Sequence, residues 1–273
     1  MLEEVSGLDA AEQIVAADAP ATTRAAAALD ELVARRLTGE PLQYVLGSWS
    51  FCGIDLLVDR RVLIPRPETE VVAQIAIAEV ARTGERVGST DPWGAALTAY
   101  AAADLGTGSG ALALALAFAL PEAEVWATEV DPDALTVARA NIAGAGTPAA
   151  RVRVAEGSWF AALPAELKGH LRIVVTNPPY IAEPELDGLP DEVARFEPVR
   201  ALVSGPTGRE AIDTIIPEAV DWLEPAGALV LELAPHQAAA AADLARSVGF
   251  ESIEVRQDLA GRDRVLIARR ASH

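Results

Sequence analysis

The stretch Tyr100-Ala101-Ala102-Ala103-Asp104-Leu105-Gly106-Thr107-Gly108-Ser109-Gly110 runs from small apolar residues into three alternate glycines, and Ala111–Leu120 follows it. Residues 100 to 105 read as a buried strand. The run 111 to 120 alternates Ala and Leu, which has strand periodicity, but its alanine content and length favour a helix. Glycines at 106, 108 and 110 let the backbone turn sharply and approach a ligand closely. The helix N-terminus behind them offers unpaired N–H groups. The spacing is G-x-G-x-G, not the G-x-G-x-x-G of dinucleotide-binding loops. By itself, this pattern fits a bare tight turn as well.

Downstream of the loop, Glu124-Val125-Trp126-Ala127-Thr128 reads as a second strand ending at Glu129, 19 residues after Gly110. A carboxylate at that place can accept hydrogen bonds from both ribose hydroxyls of a nucleoside. An ordinary solvated acid would look similar, with Asp131 and Asp133 beside it. The loop and the spaced acid together favour a nucleoside-containing cofactor. Trp159, after the third strand, is placed to line an adenine pocket, although a lone tryptophan also packs in cores.

Helical and strand-like segments alternate from residue 67 to the end, which implies a mostly parallel sheet with helices on both faces. Further strands are expected near 151–155, 171–176, 228–233, 252–257 and 265–268. The strand Leu171–Thr176 runs into Asn177-Pro178-Pro179-Tyr180. Two prolines stop the strand, stiffen the turn and supply no N–H, leaving carbonyls to accept hydrogen bonds from a planar NH2 group.

The N-terminal part differs in pattern. Thr22 to Arg36 carries Leu29, Leu32 and Val33 at helical spacing, and Gly39-Glu40-Pro41 stops that helix. Phe51, Ile54, Leu56 and Val58 suggest a hairpin within 49–64. Arg66-Pro67-Glu68-Thr69-Glu70 looks like a helix start, with an early proline and acids in the first turn. The patterns therefore divide the chain into a helical N-terminal domain (1–47), a β-hairpin linker (48–66) and an α/β domain (67–273). Residues 83–96, rich in Gly, Pro and small residues, read as an exposed loop.

Composition narrows the classes. The 273 residues carry a net charge of −18, which argues against a broad nucleic-acid-binding face. Half the residues are apolar, so a large core is within reach. Cys52 is the one cysteine, which excludes an intramolecular disulfide and suits a reducing cytoplasm; an inert, partly buried thiol is expected. The N-terminus lacks the pattern of a signal peptide, and no apolar run approaches the roughly 20 residues that cross a bilayer. The three histidines, His170, His236 and His273, lie outside every motif and are read as surface or structural.

Asp-Leu-Gly-Thr-Gly-Ser-Gly, an acidic strand end and Asn-Pro-Pro-Tyr, in that order, resemble an S-adenosylmethionine-dependent methyltransferase acting on an amide or amino nitrogen. Three further segments narrow this: Gly39-Glu40-Pro41-Leu42-Gln43-Tyr44-Val45-Leu46-Gly47, Val62-Leu63-Ile64-Pro65-Arg66-Pro67-Glu68-Thr69-Glu70 and Phe196-Glu197-Pro198-Val199-Arg200-Ala201-Leu202. With them, residues from about 35 to the C-terminus resemble the peptide chain release factor N(5)-glutamine methyltransferase (PrmC, or HemK) family. The resemblance implies an α/β, class I methyltransferase with a seven-stranded Rossmann-like sheet, a small helical N-terminal domain that docks release factors, and a hairpin linker. It implies S-adenosylmethionine as methyl donor, no metal, and the glutamine of the Gly-Gly-Gln motif of class 1 release factors as substrate. A cytoplasmic monomer touching neither nucleic acid nor membrane is expected.

By position, Gly106, Thr107, Gly108, Ser109 and Gly110 would cradle the cofactor's methionine part, Glu129 its ribose and Trp159 its adenine. Asn177 would bridge cofactor and substrate, and Asn177, Pro178, Pro179 and Tyr180 would bind the substrate amide. Asn177, Pro178 and Tyr180 would be the catalytic set. Two departures stand out. Glu129 replaces the family's usual Asp, and Ser158 stands where an Asp often precedes the Trp-Phe pair, so an adenine-amino contact would pass to Glu156 or to backbone.

An amide nitrogen is a poor nucleophile, because its lone pair is delocalised. Asn177 Oδ1 and the Pro178 carbonyl would each accept one substrate N–H, with Tyr180 packed on the flat amide. Near-attack placement of this kind supplies roughly 7–11 kcal/mol. Three rivals share parts of this reading: a glutamine methyltransferase of a ribosomal protein, an adenine-N6 DNA methyltransferase, and a binding module without turnover. The DNA enzyme must flip a base and hold phosphates, and the acidic chain shows no separate segment for that.

Overall fold

The structure, a computed structural model, describes residues 1–83 and 100–272. The loop expected at 83–96 lies, beyond Thr83, outside the described residues.

The N-terminal part consists of α1 (Leu2–Ser6), α2 (Ala10–Val15), α3 (Thr23–Leu37) and α4 (Leu42–Leu46). Each start has a physical cause where the sequence allows one. Asp9 and Glu12 form a capping box on α2, and Thr22 Oγ1 accepts the Ala25 N–H at the head of α3. Arg35 joins α3 to α4: its guanidinium donates to the Glu40 carboxylate at 2.8 and 3.1 Å and to the carbonyls of Tyr44 and Val45.

The hairpin follows as β1 (Ser48–Phe51) and β2 (Ile54–Leu57), paired with Phe51 opposite Ile54. Its two-residue turn, Cys52-Gly53, has φ of +49° and +76°, the doubly positive geometry that matches strand twist. Cys52 is exposed there by surface area, yet partial burial pushes its thiol up to about 11, as an inert thiol requires, and its N–H donates to Glu70 Oε1 at 2.8 Å. From Pro67 to Arg82 runs α5, with Pro67 in its first turn.

The remaining elements form the large unit. In chain order they are β3 (Tyr100–Leu105), α6 (Ala111–Ala119), β4 (Ala123–Glu129), α7 (Pro132–Gly144), β5 (Val152–Glu156), β6 (Leu171–Thr176) and β7 (Ile181–Ala182). There follow α8 (Asp191–Ala194), α9 (Val199–Leu202), β8 (Val203–Gly205), α10 (Glu210–Trp222), β9 (Leu223–Glu232), α11 (Ala238–Ser247), β10 (Ser252–Gln257) and β11 (Asp263–Arg269). Seven strands make one sheet in the order β10-β11-β9-β6-β3-β4-β5, parallel except for β11. Both faces are covered, as a parallel sheet requires. Val174, Leu229 and Leu266 pack against α10 and α11, while their neighbours Ile173, Val175, Val230 and Ile267 pack against α5 and α6. The Ala-Leu run 111–117 is buried all round, which explains its lack of a polar helix face.

The chain leaves β3 for β4 on one side, whereas β6 lies on β3's other side. Strand order reverses there, and the crevice beyond the carboxyl ends of β3 and β6 is the place where such sheets bind ligands.

Candidate active site

The glycine loop closes β3 by bonding to its neighbour. The N–H groups of Gly106 and Thr107 both donate to the Thr128 carbonyl at 2.9 Å, and Gly110 N–H donates to the Thr107 carbonyl. Gly108 N–H donates to Glu129 Oε2 at 2.9 Å. Asp104 Oδ2 takes the Thr107 hydroxyl at 2.5 Å and the Ala113 N–H at 3.0 Å, capping α6 from within the sheet. The loop's amides are thus largely spent inside the fold, whereas at the head of α6 Asp104 takes the Ala113 N–H and the preceding Ala111 and Leu112 line the crevice. What the glycines provide is close approach. Gly106 has φ +71°, and a Cβ there would lie 3.0 Å from the Trp159 ring.

Asp104 is fully buried with Oδ1 unpartnered, and burial pushes its carboxyl up to about 7 against the pull of its hydrogen bonds. Glu129 ends β4. Its Oε1 accepts the N–H groups of Val130 and Asp131 at 2.9 and 3.0 Å. With Gly108, three of its roughly four lone-pair positions are filled, and one remains on Oε2.

Asn177 lies just past β6, beside α5 and the end of β9. Its Nδ2 donates to Thr69 Oγ1 at 3.1 Å, and Thr69 Oγ1 donates to Glu232 Oε2 at 2.7 Å. With Nδ2 engaged, Oδ1 is left as the acceptor of a side chain on the crevice wall. Burial pushes the Glu232 carboxyl up to about 7. Tyr180 turns its hydroxyl toward Glu232 Oε1 at 3.5 Å, while Arg264 lies over its ring. Burial, and then the Glu232 charge, push its phenol up to about 12. Gln237 Nε2 holds the loop by donating to the carbonyls of Tyr180 and Gly208, each at 2.9 Å.

The glycine loop, Glu129, Trp159, Thr69 and Asn177 meet on one cavity of about 270 Å³. Gly106, Thr107, Gly108, Ser109, Glu129 and Trp159 form one wall, with Gly157 and Ser158 beside Trp159. Asn177, Pro179 and Thr69 line it with Val62, Leu63 and Pro65 of the linker exit, and Pro198, Arg200 and Ala201 complete it. Gly110, Pro178 and Tyr180 are not among the lining residues, and Glu156 is not either. Gly110, at φ +87°, instead serves the left-handed turn into α6, where a Cβ would only touch Ala138 of α7 at 3.7 Å.

The motif segments outside the loops prove to be joined. Glu40 pairs with Arg35 and with Arg60, and the Arg60 guanidinium lies 4.7 Å from the Phe196 ring. Arg66 pairs with the buried Glu197 carboxylate. Asn141 on α7 bonds both ways to the Leu57 backbone and donates to the Ser109 carbonyl at 2.8 Å, tying the hairpin to the glycine loop. Thr69, Asn141 and Glu232 were not singled out from the sequence. Thr69 stands within the quoted Arg-Pro-Glu-Thr-Glu segment, but a lone Asn or Glu in a helix or strand gives no signal of its own.

Sheet order and crevice define the class: a class I methyltransferase fold. Residues 95–189 match the model of the methyltransferase small domain, and residues 1–47 match that of the PrmC N-terminal domain. Solved structures agree on the fold. The N-terminal domain of human METTL16, in complex with SAH, aligns with a TM-score of 0.56 at 16% identity over 81% of this chain and 76% of that one. The T. thermophilus 16S rRNA methyltransferase RsmC, with AdoMet and guanosine, aligns at 0.55 and 17% identity over 82% of this chain and 49% of that one. Sequence relatives are nearer. The release factor glutamine methyltransferase of Moorella thermoacetica is 44% identical over 88% of this chain and 78% of its own length. That of Deinococcus radiodurans is 37% identical over 99% and 89%. The chain belongs to the release factor glutamine methyltransferase family.

Proposed function

We propose that this chain transfers a methyl group from S-adenosylmethionine to the side-chain amide nitrogen of the Gly-Gly-Gln glutamine of class 1 release factors, in the cytoplasm. One observation carries the reading. Asn177, held with its NH2 on Thr69, shares one cavity with the glycine loop, Glu129 and Trp159.

The residues present fit the cofactor. Gly106 leaves the backbone open where a side chain would collide with Trp159, and Glu129, which lines the cavity, keeps one acceptor position on Oε2 beyond its backbone bonds. Glu129 would hold one ribose hydroxyl on Oε2; gripping a second requires sharing one of its backbone bonds. Trp159 would border the adenine, with the backbone of Gly157 and Ser158 in place of the missing aspartate. When bound, the cofactor supplies an activated methyl on a sulfonium with a neutral leaving group.

The protein's part is orientation. Asn177 Oδ1, on the cavity wall, accepts one N–H of the substrate amide and holds its nitrogen toward the methyl donor; the Pro178 carbonyl, whose residue lies behind the lining, takes the second only once the substrate is seated, with the prolines keeping the turn rigid. No strong base is needed, since the methylated nitrogen becomes acidic and sheds its proton to water or Asn177. Tyr180, turned toward Glu232, acts from behind the loop rather than as a platform under the amide.

Incubation with S-adenosylmethionine and a class 1 release factor, followed by peptide mass spectrometry, tests this. Methylation of the Gly-Gly-Gln glutamine is expected, and none by Asn177→Ala, which should still bind the cofactor in calorimetry. Methylation confined to a ribosomal protein or to DNA, or an active Asn177→Ala, would overturn it.

A further inference from the structure

We propose that Glu232, acting through Thr69, is the device that sets which way round the Asn177 amide lies, a positioning role for two residues outside the Asn-Pro-Pro-Tyr loop. The inference rests on the methyltransferase reading above and deepens it.

An asparagine amide is nearly symmetric in shape, so only its partners tell oxygen from nitrogen. A rotation that exchanged them would present donors, not an acceptor, to a substrate NH2. The protein breaks the symmetry with a chain of two hydrogen bonds. Thr176 on β6 sits opposite Leu231 on β9, so the next residues, Asn177 just past β6 and Glu232 at the end of β9, lie side by side. Thr69, in the first turn of α5, reaches between them. Thr69 is 4% exposed and Glu232 1%.

An ionised carboxylate only accepts hydrogen bonds. Thr69 must therefore spend its single proton on Glu232, at 2.7 Å. Its oxygen then faces Asn177 as an acceptor, and only the NH2 end of the amide can meet it, at 3.1 Å. Protonated Glu232 can donate instead. The Thr69 proton is then released to face Asn177, and the preference for one amide orientation is lost.

Groups on each neighbouring element bear on Glu232. The Tyr180 hydroxyl stands 3.5 Å from Oε1. Arg264 on β11 favours its charge and Glu68 on α5 opposes it. Asp258 and Arg262 act behind these, since Asp258 pairs with Arg262 and Arg264, and Arg262 with Glu68. Arg66 faces Tyr180 and is paired with Glu197. Burial outweighs the favourable contacts, so the carboxyl changes charge near neutrality.

The test uses the full chain, a class 1 release factor and S-adenosylmethionine, with kcat, KM and cofactor affinity measured across pH. Thr69→Val keeps the shape and removes the hydroxyl; kcat should fall about tenfold or more with cofactor affinity unchanged. Thr69→Ser should restore it. Wild-type kcat should drop as pH falls through about 7, and Glu232→Gln, which cannot titrate, should lose that acid limb. A fully active Thr69→Val, or an acid limb that persists in Glu232→Gln, overturns the proposal. If Thr69→Val does not fold, the pH profile of Glu232→Gln decides it. An inactive wild type or an active Asn177→Ala would instead sink the underlying reading, so the two failures are told apart.

Discussion

Glu129 accepts the Gly108 N–H at 2.9 Å, so the acid that ends β4 is fastened to the loop that ends β3. The same carboxylate orders the two residues that follow it. A residue that would grip the ribose is therefore also part of the loop's own architecture.

Glu129→Ala should accordingly do two things. Loss of a charge-assisted hydrogen bond of about 1.5–3 kcal/mol predicts a 10- to 100-fold rise in cofactor Kd, on the order expected for such bonds. Three backbone N–H groups also lose their acceptor, so the melting temperature without cofactor should fall. Calorimetry and a thermal melt read the two effects separately. Unchanged affinity would remove Glu129 from the ribose.

Gly106 carries both a positive φ of +71° and a close neighbour, the Trp159 ring, 3.0 Å from its missing Cβ. Gly106→Ala should cost about 1–2 kcal/mol from the left-handed backbone alone, and more from displacing the ring. In a Trp159→Ala background the collision is gone and only the backbone cost remains. The double-mutant cycle should show coupling between the two sites, and strict additivity would refute the contact.

The Glu197 side chain is 1% exposed and owes its charge to Arg66, a third of which meets solvent. Even so paired, its carboxyl lies above the ordinary range, because burial outweighs the guanidinium. Arg66→Met should destabilise by about 2–3 kcal/mol in denaturant melts, somewhat below a fully buried pair. The loss should shrink as pH falls and Glu197 takes up a proton, and Arg66→Met/Glu197→Gln should recover part of it. A penalty that grows toward acid pH would contradict this account.

The sequence carried most of the sheet, because its strands are short apolar runs bounded by turn residues. Leu171–Thr176 and Ser252–Gln257 coincide with their strands to the residue. Among the candidate site residues, those with a local signature were legible: the glycines, the acid at a strand end, the Asn-Pro-Pro-Tyr turn. The use of each residue was not. The glycines read as room for a ligand, but nothing local shows that the Thr128 carbonyl and the Glu129 side chain claim the loop amides across strands. Tyr180 looked like a platform, but its hydroxyl turns to Glu232, 52 residues away in the chain. Thr69, Asn141 and Glu232 act through partners on other elements, and no local pattern announces a contact formed only when the sheet assembles.

Glu232 makes one further prediction, about stability. Its folded-state carboxyl is raised from an ordinary value near 4.5 to about 7. Between those values the folded protein holds a proton that the unfolded chain has released. Folding is therefore favoured toward the acid side of this window, and stability from this group falls as pH rises through it, levelling above about 7. This is the reverse of an ion-paired carboxylate, whose stabilisation appears as pH rises. Glu232→Gln removes the titration while keeping an acceptor for the Thr69 hydroxyl. The difference in melting temperature, variant minus wild type, should thus grow more positive from mildly acid to mildly alkaline pH. A flat difference across that window would mean that Glu232 stays ionised throughout, held so by Arg264 and Thr69, and would leave Thr69 locked in one orientation at every pH.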